Sequence, residues 1–150
     1  MQISTTPEMW VVQRERRLRI PEIANAAAEL APEIGQQIKD AGLEVAGPWI
    51  FIAQNLPKDG ETEFDWRICR PVAASGSAVA GLHHLPPVPV ASALHEGPLA
   101  ALFSDGYAPL LAKISAAGRA LTGESREIYH DWTGPGAERQ KIEIQFGLTQ

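Results

Sequence analysis

Two short stretches near the C-terminal end hold the side chains best suited to chemistry. "REIYHDW" (126–132) carries Glu127, Tyr129 and Trp132, and "KIEIQFGL" (141–148) carries Glu143. A carboxylate in a sheltered site can anchor a polar or cationic group, and a phenol can orient or protonate a bound molecule. In "KIEIQFGL" the apolar Ile142, Ile144, Phe146 and Leu148 alternate with Lys141, Glu143 and Gln145, which is the period of a strand. Glu143 is therefore a carboxylate set in an apolar strand. If buried, it must either raise its pKa or find a partner, and Arg67 is the candidate partner for a structural ion pair.

The other reactive side chains offer less. His83 and His84 have no Asp, Glu or Cys at chelating spacing, so no metal site is expected. His95 stands at a strand end, where a general base is conceivable but packing is the better reading. Cys69 is the single cysteine, which excludes an internal disulfide, and no basic partner is spaced to activate its thiol. "GPGAE" and "SGSAVAG" lack the frame and the lysine of a phosphate loop, and "GESRE" lacks the second glycine of a nucleophile elbow. No cofactor is implied.

Composition limits what can position these groups. A chain of 150 residues with 45% hydrophobic content can bury one core. A net charge of -5 argues against direct nucleic-acid binding, and the one basic cluster, Arg14, Arg16, Arg17 and Arg19, is interleaved as in a strand. No apolar run approaches the roughly 18 residues of a membrane span, and the N-terminus lacks the layout of a signal peptide. A cytoplasmic protein is expected. A homodimer or a separate regulator partner is compatible with the sequence.

The sequence also aligns with itself. At an offset of 76 residues, 34–72 matches 110–148 without a gap, with seven identities in 39 positions: Ile38/Ile114, Ala41/Ala117, Gly42/Gly118, Gly47/Gly123, Ile52/Ile128, Gly60/Gly136 and Ile68/Ile144. These fall on helix ends, turns and apolar strand positions, as in an internal duplication. Each half reads as a strand (9–20; 87–96), a helical stretch ending at Gly42 or Gly118, and two further strands (47–56 and 63–72; 123–132 and 140–148). Pro32 and Pro109 suggest a short leading piece before each main helix. The expectation is an α+β domain of two pseudo-symmetric modules, about 8–72 and 87–148, joined by a non-rigid connector at 73–86.

In such modules one sheet face lies under the helix, and Ile142, Ile144 and Phe146 should occupy it. Alternation alone then puts Glu143 on the opposite face, and the aromatics Trp49, Phe51 and Tyr129, with Glu127 and Arg67, are assigned there as well. Three aromatics do not suit a solvated face. They are expected to line a cleft between the modules, with Trp66 on the other side in the core and Glu143 as the polar anchor of a small-molecule site. Arg67 aligns with Glu143 at the same offset; if the two met, a cationic ligand would be disfavoured. Trp132 is a candidate for the rim, and Tyr107, at the start of the main second helix, is by itself better read as a packing residue.

The run "ALHEGPLAALFSDGYAPLLAKISAAG...REIYHDW...QKIEIQFGL" resembles the GyrI-like small-molecule-binding domain, found alone and as the effector-binding domain of AraC-type and MerR-type regulators. The pattern is carried by His95, Gly97 and Pro98, by Tyr107 and Leu110, by Glu127, Ile128 and Tyr129, and by Ile142, Glu143 and Ile144. Lys141 stands where threonine is usual, and Leu99 where an aromatic is common. The resemblance implies two strand-helix-strand-strand modules with a pocket between them, in which the acid corresponding to Glu143 meets cationic or polar aromatic ligands. It also implies an alternative, because some stand-alone relatives are similar to hydrolases that open a strained cyclopropane with an acidic residue and a tyrosine. Here those would be Glu143 and Tyr129.

Three readings follow. The first is a stand-alone domain that senses or sequesters a hydrophobic or cationic aromatic molecule, with Glu143, Tyr129, Trp49, Phe51, Arg67, Glu127, Tyr107, Trp132 and His95 as its site. The second is the hydrolase, and the third a protein-interaction or inhibitor module.

Overall fold

The computed structural model of the chain describes residues 1–73, 81–131 and 140–150. In chain order the elements are β1 (Gln2–Thr5), β2 (Met9–Leu18), α1 (Ile23–Asp40), β3 (Ile50–Gln54), β4 (Phe64–Val72), β5 (Leu82–Leu85), β6 (Pro89–Gly97), a π-helical turn (Leu102–Tyr107), α2 (Ala108–Ala116), β7 (Leu121–Asp131) and β8 (Gln140–Leu148). The fold is α+β. The strand-helix-strand-strand order appears twice, as β2-α1-β3-β4 and β6-α2-β7-β8.

Among the described residues the strands form one antiparallel sheet in the order β1-β6-β8-β7-β3-β4-β2-β5. The halves meet edge to edge at β3 and β7, where Phe51 faces Glu127 directly. The offset of 76 residues maps the first of these onto the second, so the axis relating the halves passes between them. Gly42 and Gly118, equivalent under the same offset, end α1 and α2 with φ of 67° and 69°, the left-handed geometry a glycine adopts without a Cβ penalty.

Both helices lie on one face of the sheet. Ala26, Leu30, Ile34 and Ile38 recur along α1 and pack on Leu18, Phe64, Trp66 and Ile68. Leu110 and Ile114 of α2 pack on Ile142, Ile144, Phe146 and Leu148. Each Leu, Ile or Phe among them, fully buried, contributes about 1.5–3 kcal/mol. The apolar side of β8 thus lies under a helix, as its alternation predicts.

Three expectations need correction. The first helix is not divided at Pro32 but runs through it from Ile23 to Asp40. Pro32 and Ala28 are both exposed, so the Ala28 carbonyl that loses its donor can turn to water. In the second half the expectation holds, since a π-helical turn precedes α2 and Pro109 sits in the first turn. The connector is not wholly irregular either: Leu82–Leu85 adds β5 to the edge at β2.

The third correction is register. Phe51 pairs with Ile68 and Ala53 with Trp66, and Glu127 pairs with Ile144 and Tyr129 with Ile142. Odd positions on one strand therefore share a face with even positions on the next. Phe51, Trp66, Glu127 and Tyr129 all lie on the helix side, and Arg67 and Glu143 on the other. A register that differs by one residue exchanges the faces of a whole strand.

Candidate functional site

The site lies on the helix side, over the junction of β3 and β7. Glu127 projects there between the two helical segments. Its carboxylate accepts a hydrogen bond from the Tyr107 hydroxyl and another, at 2.5 Å, from Tyr129. Each oxygen thus has its own phenol donor. Tyr129 comes from β7 itself, whereas Tyr107 is delivered by the π-helical turn.

That turn must press closely on the sheet to bring Tyr107 down. A Cβ on Gly106 would stand 2.6 Å from Ile144 Cδ1 and 3.4 Å from His95 Cβ. Any larger residue here would have to push the Ile144 side chain aside. His95 is buried beneath, its Nε2 3.1 Å from the Pro98 carbonyl, so it braces the turn.

Aromatic rings surround the carboxylate. Phe51 lies 4.7 Å from Tyr129 and meets Trp66 edge-on at 5.1 Å, while Tyr107 packs on Phe103 at 4.8 Å and edge-on to Phe146 at 5.6 Å. Glu127 and Tyr129 are half-buried by surface area and Tyr107 is buried, yet protein closely surrounds all three titrating groups. Burial pushes the Glu127 carboxyl above the ordinary range, against the two phenol hydrogen bonds that favour its charged form. Burial, and then the neighbouring carboxylate, hold Tyr107 and Tyr129 well above the usual phenol range.

Among the described residues no basic side chain forms an ion pair with Glu127. Arg67 and Arg126 are on the far face, both held by Glu124 at 3.5 and 3.1 Å. Beside Glu127 is a small cavity of about 20 Å³, lined by Ile23, Leu56, Phe51, Ala53, Trp66 and Ser125 together with Tyr107 and the carboxylate. It has room for about one water molecule.

The sequence candidates are thereby divided. Glu127, Tyr129, Tyr107 and Phe51 converge, and His95 supports them. Trp49 is on the same side but at its margin, stacked under Arg70 with the guanidinium 4.8 Å from the ring. Glu143 does not meet Tyr129. On the far face it accepts hydrogen bonds from His130 at 2.9 Å and Gln145 at 2.7 Å, beside an open groove of about 740 Å³ lined in part by Gln2, Ser92, Leu94 and Lys141. Arg67 pairs with Glu124 and Gln13 rather than with Glu143. Trp132 lies outside the described residues. Trp66 and Ser125 enter the site unforeseen; the signal for both was the parity of the hairpin register.

By sequence, no family profile and no curated protein matches the chain. Solved structures do match it. The EcmrR C-terminal domain superposes with a TM-score of 0.78 at 22% identity, covering 99% of this chain and 96% of that one. The chain has that domain's fold. In the EcmrR-DNA complex it matches with a TM-score of 0.76 at 23% identity, and spans 57% of the EcmrR chain. SAV2435, solved bound to tetraphenylphosphonium, matches at 0.68 and 14% identity over 99% of this chain and 93% of that one. A hydrolase from Listeria innocua matches at 0.64 and 10% identity over 99% and 91%. The architecture that places Glu127 between two helices on a shared sheet is thus common to proteins of differing description. Among the described residues no helix is long and apolar enough to cross a membrane.

Proposed function

We propose that the chain is a small-molecule-binding domain of the GyrI-like type, taking hydrophobic cations with aromatic character. The observation that carries this reading is Glu127: a carboxylate enclosed by aromatic rings, hydrogen-bonded by two neutral phenols and given no cationic partner among the described residues. An enclosed carboxylate of this kind is balanced best by a positive charge brought from outside. Aromatic faces add cation-π attraction to the charge pairing. SAV2435, of like fold, was solved with a lipophilic cation bound, which supports the same reading.

Drug-sized ligands occupy roughly 300–1,000 Å³, far more than the cavity of about 20 Å³. Binding therefore goes with an opening of the site. The apparent affinity is reduced by the fraction of molecules in the open state.

Calorimetric titration with tetraphenylphosphonium and with neutral triphenylphosphine oxide tests the proposal. The cation should bind roughly 10- to 100-fold more tightly, and Glu127→Gln should abolish that gap, since a hydrogen bond or contact to a charged group is worth about 1.5–3 kcal/mol. Equal binding of both compounds to both proteins would overturn it.

A second reading is favoured by the same contact, because a carboxylate touching a phenol is also an acid-base pair. In ring-opening hydrolysis of a strained electrophile, Glu127 would take a proton from the attacking water and a phenol would return one to the atom that receives the electrons of the breaking bond. Conversion of such a compound, lost in Glu127→Gln, would decide for it.

A further inference from the structure

Another group in the cavity wall has no hydrogen-bond partner among the described residues. Trp66 is 1% exposed, and among the described residues its buried indole Nε1 has no hydrogen-bond partner. Leaving such a donor unsatisfied is costly, and groups of this kind need an explanation. The ring lines the cavity beside Glu127. Across the sheet its neighbour is Ala53, which lines the same cavity.

We infer that Trp66 is a specificity-determining residue: ligands of this site carry a hydrogen-bond acceptor for its indole N–H as well as a positive charge for Glu127. The inference deepens the cation-binding reading and rests on it. Register sets the separation of the two groups. Trp66 is on β4, level with Ala53 of β3 and Ser125 of β7, and Glu127 lies two residues further along β7, so two strand spacings and a two-residue offset, roughly 12 Å in all, separate their backbones. Both side chains reach inward over the same cavity. One aromatic ring between acceptor and cationic centre matches that span, so the ligand class is an aromatic cation with a carbonyl, ether or ring-nitrogen acceptor about one ring away from the charge. The other use for the N–H would be the face of Phe51, whose ring meets the indole at 75°; such a contact is weak, and it would leave the ligand without a preference.

A matched pair of probes separates these cases: (4-benzoylbenzyl)trimethylammonium and (4-benzylbenzyl)trimethylammonium, which differ only in a carbonyl replaced by methylene. Calorimetry on the full chain should show wild type preferring the ketone by about three- to tenfold, the worth of one net hydrogen bond. Trp66→Phe should bind both compounds with no preference, and Glu127→Gln should weaken both while keeping it. In wild type the Trp66 indole proton should move downfield with the ketone and not with the methylene compound, a readout that needs no variant. No preference in wild type, a preference that survives in Trp66→Phe, or an indole proton that does not distinguish the probes would overturn the inference. Failure of both compounds to bind would overturn it together with the cation reading. Equal binding to wild type and Glu127→Gln, with the ketone still preferred, would remove Glu127 from the account and leave Trp66 in it.

Discussion

Tyr107→Phe isolates one of the two hydrogen bonds that hold Glu127. Phenylalanine keeps the ring that packs on Phe103 and Phe146, so the fold and the enclosure of the carboxylate are preserved while one donor is removed. A hydrogen bond to a charged group is worth about 1.5–3 kcal/mol, and here it favours the ionised form. Its loss should raise the proton affinity of Glu127 at least tenfold, since about 1.4 kcal/mol corresponds to a factor of ten. Titration of the side-chain carboxyls by ¹³C NMR, with Glu127→Gln to assign the resonance, measures this directly. Wild-type Glu127 should titrate above the ordinary carboxyl range because burial raises it, and Tyr107→Phe should move it further in the same direction. Stability should follow. A raised folded-state pKa contributes stability that is fully present below the unfolded value and is lost as pH rises through the folded one. The stability of wild type to urea should therefore fall as pH rises across that window, over a wider range in Tyr107→Phe and not through this group in Glu127→Gln. A wild-type midpoint at or below the ordinary range, or one unmoved by Tyr107→Phe, would refute the reasoning.

Other consequences are simpler to test. Gly106→Ala should destabilise the fold by about 1–3 kcal/mol through overpacking, because its Cβ would meet Ile144 Cδ1 at 2.6 Å, and cation binding should fall with it as Tyr107 is displaced; chemical denaturation and calorimetry read the two effects. Gly42→Ala and Gly118→Ala have open space around the new Cβ but φ of 67° and 69°, so each should cost about 1 kcal/mol, and nearly the same amount, in thermal or urea unfolding. Cys69 is fully buried, and burial pushes its thiol up to about 12; native protein should resist a thiol-reactive dye at neutral pH and react stoichiometrically once unfolded.

Much of the fold was legible because it rests on local signals. Glycines at positions 42 and 118 mark helix ends, and alternation in "KIEIQFGL" identifies a strand and its buried side. β1 and β5 were missed because each is four residues long and lies at an edge of the sheet, where burial imposes no pattern. The site was harder to read. Glu127, Tyr129, Phe51 and Tyr107 are identifiable by type, but alternation says only which residues of one strand share a face. It does not say which parity of the next strand joins them. That depends on loop geometry, and the one-residue difference placed Glu143 with Tyr129 and removed Trp66. The hydrogen bond from Tyr107 to Glu127 spans 20 residues and a π-helical turn, so no strand pattern could announce it.

The pairing of Phe51 with Glu127 on the axis between the halves sets the stoichiometry of anything that binds there. A site away from such an axis would occur twice in the chain; one on the axis occurs once and is shared. The two positions that symmetry would make alike are occupied by a hydrocarbon ring and a carboxylate, so a bound molecule would meet an apolar wall from one half and a charge from the other. It would have one orientation, not two equivalent ones. Neither half separated from the other would retain the site.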